Sequence, residues 1–495
     1  MKRVLVTGAS GYIGSRLVLR LLDEGYLVRA GIRSYEKFKS RKWSSHPNIE
    51  FSYLDVMNLD SIKTSLENVD IAYYLIHSMN PSRKDFVASD RQAALNMVDA
   101  CNSSQSLKHL IYLGGLGENT DDLSQHLKSR LEVASILKTV KIPFTELRAA
   151  MIIGSGSASF EILRYLVDRL PIMVTPKWVQ TPCEPIAIRN VLYYLIKCIE
   201  CEGTYNKSFD IGCGVILNYQ ELMEIYAQEA NLPKRVIIPV PVFTPWLSSY
   251  WIHYVTPVPA SIARPLAQGL RNPVICKNIE IRNLIPQELL SPREAIKLAL
   301  DKMQHHEVES HWTDAGLFRP CEWWSPDDPS WSGGTVYYDI REARVKSSAE
   351  ELWQPLVRIG GQTGYYYGNW LWVLRGILDK MFGGVGLRRG RRHPSQIEVG
   401  DALDFWRVAK IVKDKQLLLN AEMKLPGLAV LEFDIVDNND NTCTIRQIAR
   451  FHPSGLFGIL YWYLVLPFHE FVFSGMLKGI IKACGKKPIS FKKIK

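Results

Sequence analysis

The chain has no Gly-x-Ser-x-Gly elbow and no second Cys-x-x-Cys pair, and each absence removes a class of chemistry. Without the strained serine turn, the scattered Ser, His and Asp residues give no support to a hydrolase. Cys198-Ile199-Glu200-Cys201 has metal or redox spacing, but with no partner pair at zinc-site distance it reads as two ordinary helix cysteines. His305, His306 and His311 stand beside Glu307 and Glu309 in a charged stretch with no apolar frame, so they read as solvated and no metal site is predicted. The nine cysteines are odd in number and irregularly spaced, and a strand pattern begins at Lys2 with no apolar leader before it. Those features predict a reducing, cytoplasmic setting without structural disulfides.

Long apolar runs free of both charge and proline are also missing. Val236 to Ala263 holds 28 residues without Asp, Glu, Lys or Arg, but Pro239, Pro241, Pro245, Pro257 and Pro259 would break a spanning helix at both ends. Between those prolines Phe243, Trp246, Leu247, Tyr250, Trp251 and Tyr254 fall on one helical face. That stripe reads first as core packing, second as a lid over an apolar cleft and third as membrane contact. Pro453 to Phe468 is uncharged too, yet Pro467, His469 and Glu470 interrupt it, which favours a buried or interfacial helix over a span.

Acidic residues are absent from Phe471 to Lys495, where Lys478, Lys482, Lys486, Lys487, Lys492, Lys493 and Lys495 form a basic tail. With Arg388, Arg389, Arg391 and Arg392 these charges exceed the net charge of +10, so the remainder has no basic footprint and no nucleic-acid partner is expected. The tail reads as solvated first and as an attraction to anionic lipid second, giving possible peripheral membrane contact together with the aromatic helix before it.

What is present begins four residues in. Val4-Leu5-Val6 runs into Thr7-Gly8-Ala9-Ser10-Gly11-Tyr12-Ile13-Gly14 and then into the amphipathic run Ser15 to Leu22. A strand turning through three glycines into a helix is a dinucleotide cradle. Gly8 makes the tight turn, Gly11 lets backbone approach a pyrophosphate, and Gly14 lets the helix pack close to the sheet. Strand patterns at Arg3–Thr7, Leu27–Ile32, Ile49–Leu54, Ile71–Ile76, His109–Leu113 and Phe144–Ile153 alternate with helical ones, including Asp85–Ser103 and Leu123–Lys138. Six parallel strands in this order predict an α/β, doubly wound Rossmann sheet. Two helices around a short strand, Ser208–Ile211, follow.

At 495 residues a second domain is required. We place a nucleotide-binding domain over 1–305 with a substrate cap at about 212–300, a connector over 306–334 and an α+β domain over 335–490. In the last of these, strand Val336–Val345, helices Ala349–Ile359 and Tyr365–Met381, strands Asp401–Val412, Gln416–Met423, Ala429–Asp437 and Thr442–Phe451, and helix Leu456–Cys484 suggest a curved sheet wrapped on one helix around an apolar cavity.

At the end of the second strand an NAD site carries an acid, and an NADP site a cation. Here the corner reads Gly31-Ile32-Arg33-Ser34, followed by Lys37, Lys39, Arg41 and Lys42, which predicts NADP over NAD; a solvated basic loop is the competing reading. Asp55-Val56 follows the third strand, where it meets the adenine, and His77-Ser78 closes the fourth over the same groove.

Gly8 to Gly14, Arg33, Asp55-Val56 and Thr145-Glu146-Leu147-Arg148 followed by Gly154 resemble the extended and atypical (NmrA-like) short-chain dehydrogenases. Tyr74-Leu75-Ile76-His77-Ser78, His126-Leu127 with Arg130, and Pro239-Val240-Pro241 with Thr256-Pro257-Val258-Pro259 resemble a bacterial two-domain branch fused to a START-like helix-grip domain of unassigned function. The resemblance implies a Ser at the end of the fifth strand and Tyr-x-x-x-Lys on the next helix, the Lys contacting the ribose and lowering the Tyr pKa. This chain departs at all three places: the strand ends Leu113-Gly114-Gly115-Leu116-Gly117, and His126 and Arg130 stand where Tyr and Lys would. Tyr35 with Lys39 and Tyr193 with Lys197 have the spacing but follow the wrong strands. His126 as general acid and Arg130 as a ribose or phosphate contact compete with a plain surface pair. Two functions follow: an NADP(H)-binding reductase acting on an apolar or lipid-like molecule, or a redox-inactive nucleotide-loaded sensor, carrier or assembly factor.

Overall fold

The structure is a computed structural model and describes residues 1–33, 35, 42–76, 86–117, 125–240, 252, 255–256, 268–269, 272–304, 309–310, 336–438 and 440–494. It divides into two compact units, the described residues up to Ser310 and those from 336 onward.

In the first unit, strands β1 (Arg3–Val6), β2 (Leu27–Ile32), β3 (Ile49–Tyr53), β4 (Ile71–Tyr74), β5 (His109–Gly115), β6 (Phe144–Ala149) and β7 (Lys207–Ile211) pair in the order β7-β6-β5-β4-β1-β2-β3. Every pairing is parallel. The apolar positions of the strands explain this: Val4, Leu5 and Val6 are fully buried, as expected for strands covered on both faces. The chain runs outward from β1 to β3 and then returns to β4 on the other side of β1. The point of reversal therefore lies at the carboxyl ends of β1 and β4, where open α/β sheets bind ligands.

Helices α1 (Tyr12–Asp23), α2 (Leu59–Leu66), α3 (Phe86–Ser103) and α4 (Gln125–Leu137) supply the crossovers, followed by α5 (Ala158–Arg169), α6 (Ile188–Lys197), α7 (Tyr219–Glu229) and α8 (Pro292–Gln304). The expected sheet of six strands has seven. The short strand after α6 joins it, because Phe209 and Ile211 are buried and Asp210 lies opposite Arg148, whose Nε donates to it at 2.8 Å. The expected strand Phe144–Ile153 stops at Ala149; Ile152–Ile153 forms a separate short strand beside Ile186–Ala187. The aromatic stripe at 243–254 falls outside the described residues except for Ile252, as does most of the connector.

The second unit contains β8 (Tyr337–Val345), α9 (Ala349–Leu356), α10 (Asn369–Met381), β9 (Ala402–Leu403), β10 (Trp406–Val412), β11 (Gln416–Ala421), β12 (Gly427–Asp437), β13 (Cys443–Pro453), α11 (Gly455–Ala483) and β14 (Pro488–Ile494). The strands form one antiparallel sheet in the order β9-β10-β11-β12-β13-β8-β14. Helix α10 starts four residues later than expected because Gly364, Tyr366 and Gly368 all have φ near +60°, which no right-handed helix accommodates. The expected strand Asp401–Val412 is likewise split at Asp404, with φ +55°.

The carboxyl-terminal half of α11 is core. Val472, Phe473, Met476, Leu477, Ile480 and Ile481 are buried in one cluster with Leu419, Leu431 and Phe433 of the sheet. Packed side chains thus fill this half of the layer in which an apolar cavity was expected. The lysines of the tail are largely exposed, as a solvated segment would have them, but the segment is ordered. It pairs along β8 as an edge strand, with Lys492 on Glu342 at 2.9 Å and Lys486 on Glu351 at 3.4 Å, while Lys493 pairs with Glu470 at 2.5 Å. Lysine on an edge strand also discourages pairing with further strands. Three of the clustered arginines are engaged too: Arg389 pairs with Glu422, Arg391 donates to the carbonyls of Val357 and His393, and Arg392 pairs with Glu398 and Asp401.

Candidate functional site

The site is built where β1 ends. Thr7 is fully buried; its N–H donates to the Tyr73 carbonyl at 3.0 Å, and its Oγ1 accepts the Leu75 N–H at 3.1 Å, which ties the loop to the end of β4. Gly8 has φ +68°, and a Cβ there would lie 3.1 Å from the Leu75 carbonyl oxygen. The Gly11 N–H closes the turn onto the Gly8 carbonyl at 2.8 Å. At Gly14 a Cβ would stand 2.2 Å from the Gly8 oxygen and 2.8 Å from its carbonyl carbon, so only glycine fits.

Helix α1 begins at Gly11 with no side-chain cap and no acid in its first turn. Its first N–H groups and the positive end of its dipole are therefore offered to an external anion. Ser10, Gly11, Tyr12 and Ile13 are partly exposed and form the accessible rim. A cradle that a single Cβ would fill and a helix start without a cap both fit a dinucleotide pyrophosphate.

The Tyr12 hydroxyl is buried with no hydrogen-bond partner among the described residues, and a Cβ on Gly154 would lie 2.4 Å from it. Burial pushes this phenol up to about 12, although Arg16 opposes the shift, so it is neutral at physiological pH. The Arg16 guanidinium lies 4.7 Å from the Tyr12 ring centre and is buried. Its Nε donates to Ser310 Oγ at 2.9 Å and its Nη2 to the Ser155 carbonyl at 2.8 Å; Ser310 Oγ in turn donates to the Tyr12 carbonyl at 2.9 Å. Glu309 is held by Lys302 at 2.6 Å, Arg20 at 3.3 Å and Arg16 at 3.7 Å, while His305, His306 and His311 lie outside the described residues. Burial raises its carboxyl, but the hydrogen bond from Lys302 and the charges of Arg16, Lys302 and Arg20 hold it below the ordinary range. None of this network was read from the sequence. Its signal was an arginine at position 16, directly before the apolar run Leu17-Val18 of an amphipathic helix.

The neighbouring strand ends carry the other expected positions. Arg33 is exposed at the end of β2. After β3, the Asp55 N–H donates to Ser61 Oγ and its Oδ1 accepts the Met57 N–H, both at 3.1 Å, while the Val56 carbonyl accepts Asn96 Nδ2 at 2.9 Å. His77 and Ser78 lie outside the described residues, as do Ser34, Lys37, Lys39 and Arg41. At the end of β5, a Cβ on Gly115 would lie 3.2 Å from Arg130 Cδ, and Arg130 Nη1 donates to the Leu113 carbonyl at 3.4 Å. Burial raises the Tyr112 phenol while Arg130 pulls it down, which makes Tyr112 a second neighbour of this guanidinium. Arg130 is thus brought to the strand end; the side chain of His126, one turn earlier on α4, lies outside the described residues.

Residues 8–162 match a family model described as NAD(P)H-binding. The first unit carries an NAD(P)H-binding domain. Residues 331–476 match a family described as a protein of unknown function, DUF2867. A dihydroflavonol 4-reductase of Callistephus chinensis is 28% identical over 123 residues, covering 23% of this chain and 34% of its own length. A chloroplastic divinyl chlorophyllide a 8-vinyl-reductase of Arabidopsis thaliana is 26% identical over 225 residues, 42% of this chain and 52% of its own length. The chain thus spans about a third to a half of the length of these curated relatives. Among solved structures, a nucleoside-diphosphate-sugar epimerase from Staphylococcus aureus superposes with a TM-score of 0.49 at 17% identity, over 60% of this chain and 100% of that one.

Cys198 is fully buried and burial pushes its thiol up, the reverse of a reactive cysteine, and the eight described cysteines are free. Among the described residues no group of three or more His, Cys, Asp or Glu side chains could hold a metal. Lys197 pairs with Glu24 at 3.7 Å beside Tyr193 on α6, and Tyr35 packs edge-on against Phe51.

Proposed function

We propose that the chain is an NADP(H)-dependent, atypical short-chain reductase acting on an apolar or lipid-like substrate, with a second unit of START-like helix-grip type. The observation that carries the reading is the glycine cradle opening onto an uncapped helix at the reversal point of the sheet. Both plant relatives described above are reductases by name, which supports reduction as the reaction. The preference for NADP is supported by the corner at Gly31-Ile32-Arg33, which has no acid and leaves Arg33 exposed for a 2′-phosphate.

When bound, the nicotinamide supplies or accepts a hydride. The chain's own part is to hold and neutralise. Gly8, Gly11 and Gly14 admit the pyrophosphate, Thr7 fixes the loop, and Ser10, Tyr12 and Ile13 line its rim. Asp55 and Val56 meet the adenine, and His77 and Ser78 close the groove. Arg130, whose planar guanidinium suits oxyanions, serves as a ribose or phosphate contact, and His126 moves a proton. The free thiols support a reducing cytoplasmic setting.

The absence of Ser, Tyr and Lys from the catalytic positions favours a second reading, a nucleotide-loaded sensor, carrier or assembly factor without turnover. One measurement tests the cofactor and another separates the two readings. Calorimetry with NADPH and NADH tests the cofactor: tighter NADPH binding, abolished by Arg33→Glu, is expected, and tighter NADH binding refutes the preference. Mass spectrometry of retained ligands tests the chemistry. A bound molecule that gains two hydrogens when NADPH is added, and no longer does so in His126→Ala, supports the reductase; a nucleotide that never changes redox state supports the binder.

A further inference from the structure

The second unit leaves two helix faces bare. On α10, Trp370, Val373, Leu374, Ile377, Met381 and Phe382 are all exposed and follow one helical stripe. On the amino-terminal half of α11, Phe457, Leu460, Leu464, Phe468 and Phe471 are exposed at spacings of three and four, and Phe457 is 80% exposed. The stripes meet. Tyr367, just before α10, packs edge-on to Phe471 with ring centres 5.0 Å apart, and Arg375 of α10 donates to the Lys424 carbonyl in the same loop whose Pro426 carbonyl lies against Gly458 of α11. At roughly half exposure of side chains worth about 150–250 Å² each, the combined apolar surface is on the order of 1,000 Å². The largest patch on an ordinary monomer is about 300–600 Å².

Charge selects the occupant. Helix α10 carries two cations, Arg375 and Lys380, and a single acid, Asp379. That acid is buried and spent on the backbone N–H groups of Gly386 and Lys424. Arg375 and Lys380 flank the stripe on α10, and Lys424 is exposed beside it. The one acid of α11, Glu470, is paired with Arg341 and Lys493. A second copy docking by a two-fold axis would set this cationic rim against itself. Anionic headgroups complement it.

Residues Phe457–Ala483 are long and apolar enough to cross a membrane, but from Val472 onward the helix is the core of the unit. What is left outside falls short of the ~20 apolar residues a span requires. We propose that α10 and the amino-terminal half of α11 form a monotopic membrane-binding surface that lies in the headgroup region of an anionic bilayer, with the basic β14 strand taking no part.

The full chain is tested by flotation with vesicles of phosphatidylcholine alone and with about one part in three of phosphatidylglycerol. Binding to the anionic vesicles, at least tenfold stronger than to the neutral ones, is expected. The double variant Ile377→Gln/Leu464→Gln should lose a further tenfold or more while keeping its circular dichroism and nucleotide binding; Lys492→Gln/Lys493→Gln, in β14, should change binding less than twofold. If the double variant misfolds, quenching of tryptophan in the unaltered protein by shallow brominated lipids decides the matter. Recovery of the unaltered protein in the lipid-free fraction overturns the proposal, whether it is a monomer or a dimer that the double variant splits.

Discussion

Replacing Gly14 by alanine should remove nucleotide binding through backbone geometry alone. The new methyl carbon would lie 2.2 Å from the Gly8 oxygen and 3.0 Å from the Ala9 Cα, and both obstacles are main chain. Ordinary contact begins near about 3.4 Å, so α1 and the Gly8 turn must separate by about 1 Å. Overpacking of this kind costs about 1–3 kcal/mol, a fall in melting temperature of about 2–5 °C for a unit of this size. The same displacement carries the first N–H groups of α1 out of hydrogen-bond range of a phosphate oxygen, and each such bond is worth about 1.5–3 kcal/mol. Kd for NADPH should therefore rise by about 10- to 100-fold or more, and the thermal upshift given by saturating NADPH, about 2.7 kcal/mol at a hundredfold excess over Kd, should vanish. Gly11→Ala is the control: its Cβ would lie 3.2 Å from the Gly8 oxygen at φ −76°, so the fold should hold within about 2 °C while the methyl protrudes into the cradle rim and affinity falls. Unchanged melting temperature and unchanged NADPH affinity in Gly14→Ala would refute the reasoning.

Three further outcomes are expected. Arg341 and Asp339 are buried and joined by two hydrogen bonds of 2.8 and 3.0 Å, so Arg341→Met should destabilise the second unit by about 3–5 kcal/mol, and Arg341→Met/Asp339→Leu should recover most of that in denaturant titration; a single-variant loss below about 1 kcal/mol contradicts it. His109 is held to about 4 by burial, below its ordinary 6.5, so the unfolded chain takes up a proton that the folded one refuses and stability falls as pH drops from 6.5 toward 4, by up to about 3 kcal/mol. His109→Gln should flatten that limb of the pH profile, and an unchanged limb counts against it. Removing residues 486–495 should lower the stability of the second unit by about 2 kcal/mol through loss of β14, whereas a solvated tail would leave it untouched.

The fold was legible wherever burial follows a simple period. Strand Leu27–Ile32 and helix α11 were read within a residue of their observed limits, because continuous apolar strands and a long aromatic helix announce themselves. Errors of extent came from single residues in the left-handed region, such as Tyr366 and Asp404, whose backbone angle no hydropathy pattern reveals. The last strand was missed because it pairs with β8, far earlier in the chain, where its Lys492 meets Glu342; charge alone looks identical on a tail and on an edge strand. In the site, the glycines were readable because their spacing is dictated by backbone contact. The Arg16–Ser310 link was not, since it joins residues nearly three hundred positions apart.

Strand β8 has consequences for the order in which the molecule comes into being. Its two lateral neighbours, β13 and β14, are synthesised about a hundred residues or more after it. During translation β8 must therefore wait with both edges open, while each of β2 to β6 finds a partner strand already made when it emerges. The nucleotide cradle is then competent before the antiparallel sheet exists, so a nascent chain could already be carrying its cofactor while β8 is still the segment most exposed to wrong pairing.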